Sequence, residues 1–151
     1  TAAMKDGVLY VPGSGVSAVA TNSADPDERV VWRVAKLQAG NTSPVAVNDQ
    51  LLLINSAGVL TSASLADGQV EWRRRLKLEG TLWASPVVAG KHLYCVTDRG
   101  NAAVVDIEDK GRIVATGTFG NNQQVLASPA IAGNALYVRS HQYLWKIAAE
   151  E

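Results

Sequence analysis

One cysteine, one methionine and one phenylalanine occur in 151 residues, and each scarcity removes a class of protein. Cys95 alone cannot form an internal disulfide, so the chain is no disulfide-stapled scaffold. No run of about 18 apolar residues is present, which predicts no membrane-spanning helix. An excess of charge of either sign is also lacking: Lys plus Arg and Asp plus Glu number 14 each, so no global field draws in nucleic acid or an anionic membrane. Nor does a charged-then-apolar leader open the chain at "TAAMKDGVLY", and any targeting signal is expected to have been removed or to lie upstream. What remains is 47% hydrophobic and 19% charged, a composition that buries one ordinary core.

The informative feature is a repeat. Residues 84–90 read "ASPVVAG" and residues 127–133 read "ASPAIAG". Ser43, Ser85 and Ser128 each begin a Ser-Pro pair, at spacings of 42 and 43, and a further step of 42 back reaches Thr1. Leu9, Leu51, Leu93 and Leu136 all lie eight residues after these starts, three of them in a Leu-Tyr pair. The repeats are therefore 1–42, 43–84, 85–127 and 128–151 of a single domain. A period of about 40–45 suits a four-stranded propeller blade, or a helical repeat of similar length.

Local pattern decides for strands. In the third repeat "SPVVAG", "KHLYCVT", "NAAVVDI" and "RIVATGTF" are short runs rich in Val, Ile, Tyr and Thr, divided by turn-forming clusters. None offers ten unbroken residues with apolar recurrence at three and four. The second repeat divides likewise into "SPVAV", "QLLLIN", "VLTSASL" and "VEWRRRL". Leu51 to Ile54 are apolar at every position, as strands covered on both faces require. The expected fold is all-β: blades of four antiparallel strands in a partial β-propeller of three and a half to four blades. Proline has no N–H for a ladder and belongs at a strand start, so Ser-Pro marks entry into each blade's innermost strand. A serine present in every blade is a structural residue, not a unique nucleophile.

The third repeat, the stretch "LADGQVEW" and the ending "ALYVRSHQYLWKIA" resemble the pyrroloquinoline-quinone-like repeats of bacterial β-propellers, and the resemblance covers essentially the whole chain. It implies that Trp32 and Trp72 are inter-blade docking tryptophans; the third repeat departs, with Ala115 in that place. It implies also the C-terminal half of a larger propeller, whose last blade is completed by the chain's other end. Such repeats occur in quinone-dependent dehydrogenases and in propellers without cofactor, one of them an outer-membrane assembly scaffold. An exported location, periplasmic or secreted, is implied; the low cysteine content suits cytoplasm equally.

No catalytic set stands out. A quinone dehydrogenase needs a calcium-type cation held by carboxylate and amide oxygens, with an aspartate base. Asp25, Asp27 and Glu28 beside Pro26 look like a solvated turn, and Asp106, Glu108 and Asp109 straddle a strand end in the same way. His92 and His141 bring no partner at ligand spacing, and Cys95 lies on a strand as an inert thiol. The basic run Arg73, Arg74, Arg75 and Lys77 protects an outermost strand from pairing. No catalytic, metal or cofactor residue is assigned, and no cofactor is expected in this chain.

In a four-stranded blade the connection to the next blade and the turn between strands two and three open on one face. That gathers Asn41, Trp83, Gln123 and Gln124 from the connections with Asp98, Arg99 and His141 from the turns, as a candidate interaction face. Trp83 stands out because its repeat equivalents are Asn41 and Leu126. The favoured function is a protein-binding or sensory scaffold, with a protein partner or self-association through open blade edges. The alternative is part of a quinone dehydrogenase, with pyrroloquinoline quinone and calcium, whose site lies mostly outside these residues.

Overall fold

The structure is a computed structural model and describes residues 1–25, 28–120 and 123–148. Its strands fall into four sheets. The first holds β1 (Ala3–Lys5), β2 (Val8–Gly13), β3 (Gly15–Ala20) and β4 (Val30–Val34); the second holds β5 (Val45–Val47), β6 (Gln50–Ile54), β7 (Val59–Ser64) and β8 (Val70–Arg75). The third is built of β9 (Val87–Ala89), β10 (His92–Val96), β11 (Asn101–Asp106) and β12 (Arg112–Thr118). The fourth has three strands, β13 (Ala130–Ala132), β14 (Ala135–Arg139) and β15 (Leu144–Ala148). Every pairing is antiparallel between consecutive strands, the arrangement of propeller blades. A register shift recurs where the third strand meets the fourth, at Ala18/Val19, Ser62/Ala63 and Val104/Val105, so even the bulge repeats.

The first strands of neighbouring sheets, β1, β5, β9 and β13, approach one another in turn and form the inner wall of the stack. Ser-Pro leads into three of them. The serine also links the blades, since Ser43 N–H donates to Ser85 Oγ at 2.9 Å and Ser85 N–H donates to Ser128 Oγ at 3.0 Å. Each of these hydroxyls thus accepts the N–H of its counterpart in the preceding repeat.

Side chains fill the space between sheets. β6 is buried along Leu51, Leu52, Leu53 and Ile54; Leu51 and Leu53 join Tyr10, Val16 and Leu37 against the first sheet, while Leu52 and Ile54 join Leu93 and Val105 against the third. The indoles of Trp32 and Trp72 lie over glycine turns of the following blade, at Gly68 and Gly111. Trp32 Nε1 donates to Leu65 O at 2.9 Å. Ala115 leaves the third blade without such an indole. Trp145, on β15, instead reaches back toward the third sheet and meets Phe119 edge-on at 5.6 Å. An apolar cleft of about 350 Å³ remains beside Ala115, bordered by Val104, Gly117, Leu136 and Ile147.

Cys95 and the acidic cluster at the end of β11, both set aside in the sequence, are structural. Cys95 is buried, and desolvation pushes its thiol up to about 12. Asp106 is buried, accepts from Lys91 Nζ at 3.0 Å, and receives the N–H groups of Glu108 and Asp109. The Lys91 contact, with those turn amides, holds its carboxyl below the ordinary carboxylate range against the opposing pull of burial. An unfolded Asp takes its proton at about 3.9. This contribution is therefore complete above that value and is lost as pH falls through the lower folded pKa. Urea midpoints of Asp106→Asn should lie below those of the parent near pH 7, with the gap closing in acid; a gap independent of pH would refute the ionic account.

Candidate interaction face

Connecting loops leave β4, β8 and β12 and run to the inner strand of the next sheet, passing over the turn between its second and third strands. Backbone hydrogen bonds fix each passage: Gly40 N–H to Ile54 O, Asp98 N–H to Thr81 O, and His141 N–H to Gln124 O. Side chains tighten the second of these. The Asp98 carboxylate accepts the Thr81 N–H at 2.8 Å, and Thr97 Oγ1 donates to Glu79 O at 2.8 Å. Loops and turns thereby share one end of the stack, because both lie at the same ends of antiparallel strands.

The residues expected at this face are distributed unevenly over it. Asp98, Arg99, Gln123 and Gln124 line one open cleft of about 820 Å³, together with Glu79 and Asn101. Gln124 and His141 border a second depression of about 190 Å³ with Leu126 and Arg139. Asn41 is exposed and borders a separate cavity of about 100 Å³ beside Asn55 and Thr97. Trp83 is 52% exposed and lines none of these hollows. Gln123 is buried: its amide oxygen accepts from Ser140 Oγ at 2.9 Å and its nitrogen reaches Gln142 Oε1 at 3.2 Å. Ser140 Oγ also accepts Trp145 Nε1–H at 3.2 Å, so Gln123 orders the loop over the fourth sheet and does not project from it.

Leu126, Arg139 and Glu79 belong to this face without being singled out by the sequence. Leu126 is 55% exposed at the repeat position of Trp83, an equivalence that the 42–43 period draws without placing Leu126 on the face. The serine ties between Ser43, Ser85 and Ser128 set Asn41, Trp83 and Leu126 in order along the inner rim.

Other candidates lie elsewhere. Pro26 and Asp27 are outside the described residues, and Asp25 and Glu28 flank them near Arg29, whose Nε donates to Ser23 O. His92 packs edge-on to Tyr94. β8 is the outer edge of its sheet, and the basic run there does more than guard it. Arg74 donates to Gly111 O at 3.1 Å and to Lys110 O at 3.2 Å in the next blade, and Arg75 donates to Ala57 O.

A quinone with its cation would need convergent carboxylates beside an open aromatic platform. Among the described residues no three His, Cys, Asp or Glu side chains converge, Asp106 is engaged by Lys91, and Trp32 and Trp72 are covered by glycine turns. The residues present do not fit that group.

Residues 12–116 match the family model described as outer membrane protein assembly factor BamB. Among solved structures, BamB from Moraxella catarrhalis aligns over 97% of this chain and 44% of its own, with TM-score 0.71 and 19% identity. The computationally designed Ika4 protein aligns over 97% and 89%, with TM-score 0.75 and 12% identity. A quinohemoprotein alcohol dehydrogenase from Pseudomonas putida HK5 aligns over 93% and 28%, with TM-score 0.72 and 15% identity. The chain thus spans less than half of either natural relative. At these identities the likeness is one of fold. Comparison with curated protein sequences gives no match.

Proposed function

The chain belongs to the BamB family of outer membrane assembly factors, with pyrroloquinoline-quinone-like repeats, and from that membership we propose that it is a non-catalytic scaffold binding a protein partner through its connecting-loop face. The observation that carries this reading is the exposure of Trp83, which lies on that face while Trp32 and Trp72 are docked between blades. An aromatic side chain on a loop rim supplies contact area at small entropic cost, as interface anchors do. A place in the cell envelope is part of the proposal, and the family description supports it. Self-association is a further part of the proposal, through the edge of β15 and the outer sheet faces, where Leu144 and Met4 are 71% and 64% exposed. The dehydrogenase reading would need its quinone and calcium ligands to come from residues beyond these.

A photo-crosslinking residue in place of Trp83, introduced into the full chain in cells, should capture a protein; the same residue in place of Asp67, on the opposite face, should not. Trp83→Ala should remove that partner without altering the unfolding midpoint. A calcium-dependent absorbance change on titration of the full chain with pyrroloquinoline quinone would favour the dehydrogenase instead.

A further inference from the structure

The chain is neutral overall, yet its charges are sorted by the fold. Lys36, Arg75, Lys77, Arg99 and Arg139 stand on the connecting loops or at the strand ends beside them. Among the described residues Glu79 and Asp98 alone oppose them there, and the Asp98 carboxylate is engaged by Thr81 N–H. The other end carries Asp6, Asp49, Asp67, Asp106, Glu108 and Asp109 against Lys5, Lys91, Lys110 and Arg112, an excess of acid. Ion pairing follows the same division. Among the described residues the ion pairs are Lys91–Asp106, Arg112–Asp106 and Arg112–Asp109, all at the acidic end, so the cations of the loop face have no carboxylate partner.

Apolar surface lies among these unpaired cations. Leu126 is 55% exposed in the depression of about 190 Å³ that Arg139, His141 and Gln124 border. That volume is below the roughly 300 Å³ at which small-molecule sites begin, and it suits one inserted side chain. Gln124 also borders the larger cleft that holds Arg99 together with Glu79 and Asp98, so the two hollows are neighbours across that side chain. An extended segment could therefore seat a side chain at Leu126 and carry carboxylates to Arg139 on one side and Arg99 on the other.

We propose that the connecting-loop face docks an acidic segment of a partner protein, anchored by one apolar side chain at Leu126 and read by Arg99 and Arg139. This rests on the scaffold reading and names the chemistry of its partner. Charge complementarity selects the partner class. Nucleic acid would want a longer series of stacking aromatics than the two exposed among the described residues of this face, Trp83 and Tyr143.

The test is selection of displayed random dodecapeptides on the full chain. The enriched peptides should combine Asp or Glu with Leu, Phe or Trp, and their binding should weaken as ionic strength rises. Arg99→Glu with Arg139→Glu should weaken them about tenfold or more, and Leu126→Asp comparably, whereas Lys146→Glu on the exposed strand β15 should leave them unchanged. Unaltered thermal unfolding of each variant separates lost binding from lost fold. Failure to enrich any peptide, enrichment without acidic residues, or indifference to the paired arginine reversal would overturn the proposal. So would tighter binding, through the same arginines, to phosphatidylglycerol vesicles or to oligo-dT. If Trp83 crosslinks a protein while the peptides show no acidic preference, the scaffold reading stands and this inference fails; if neither occurs, both fail.

Discussion

Gly111→Val should be among the most damaging single substitutions in the chain. Gly111 has φ +70 in the turn between β11 and β12, and a β-carbon there would lie 2.5 Å from Cζ3 of Trp72 and 3.0 Å from two further indole carbons. A β-branched residue in the left-handed region costs about 1–2 kcal/mol by itself. The larger loss comes from the indole, which must leave its seat, and loss of a docked aromatic costs on the order of 3–5 kcal/mol. Arg74 donates to the carbonyls of Gly111 and Lys110, so a shifted turn also gives up those two hydrogen bonds. The sum approaches the whole stability of a small domain, about 5–15 kcal/mol. Gly133→Ala is the matched control: its φ is +57, but no atom lies within 4 Å of the added carbon, and about 1 kcal/mol is expected. Urea midpoints of the two variants should differ widely; equal midpoints would mean that Trp72 does not pack on this turn.

The same blade junctions show what residue type alone reveals of the fold. The period of 42–43, the four strand runs and the two-sided burial of Leu51 to Ile54 are written in the sequence, because sterics and hydrophobicity act locally. The incomplete last blade, with three strands in its sheet, agrees with the expected three and a half to four blades. The serine ties were not legible. Proline explains why Ser-Pro begins a strand, but acceptance of Ser43 N–H by Ser85 Oγ depends on how adjacent blades lie, which no local signal carries. Ala115 was visible as a departure, whereas its partner change was hidden: Trp145 takes up the contact from the opposite sheet and from a third strand. Loop side chains were least legible. Gln123 and Gln124 are neighbours of the same type, yet Gln123 is buried beneath the loop and Gln124 is exposed, since no periodicity sets direction in a connection.

Alanine at Leu52 and at Leu53 should cost alike, although the two are adjacent on one strand. In a sheet with one face in water, neighbouring residues alternate between core and solvent, and the solvent-side change would fall within about 0.5 kcal/mol. Here both are 1% exposed: Leu52 packs toward Leu93 and Val105 of the third sheet, and Leu53 toward Val16 and Leu37 of the first. Each truncation removes buried methyl groups and leaves a cavity, worth about 2–5 kcal/mol. The clusters share no member, so each truncation empties a different interface, and the double variant should lose on the order of 4–10 kcal/mol. That is comparable to the whole stability of a small domain, about 5–15 kcal/mol, and far-ultraviolet circular dichroism should find a far larger unfolded fraction in the double variant than in either single variant. A near-silent effect at either position would mean that one face of β6 meets solvent, and the stacked-blade arrangement of the second sheet between the first and third would fall with it.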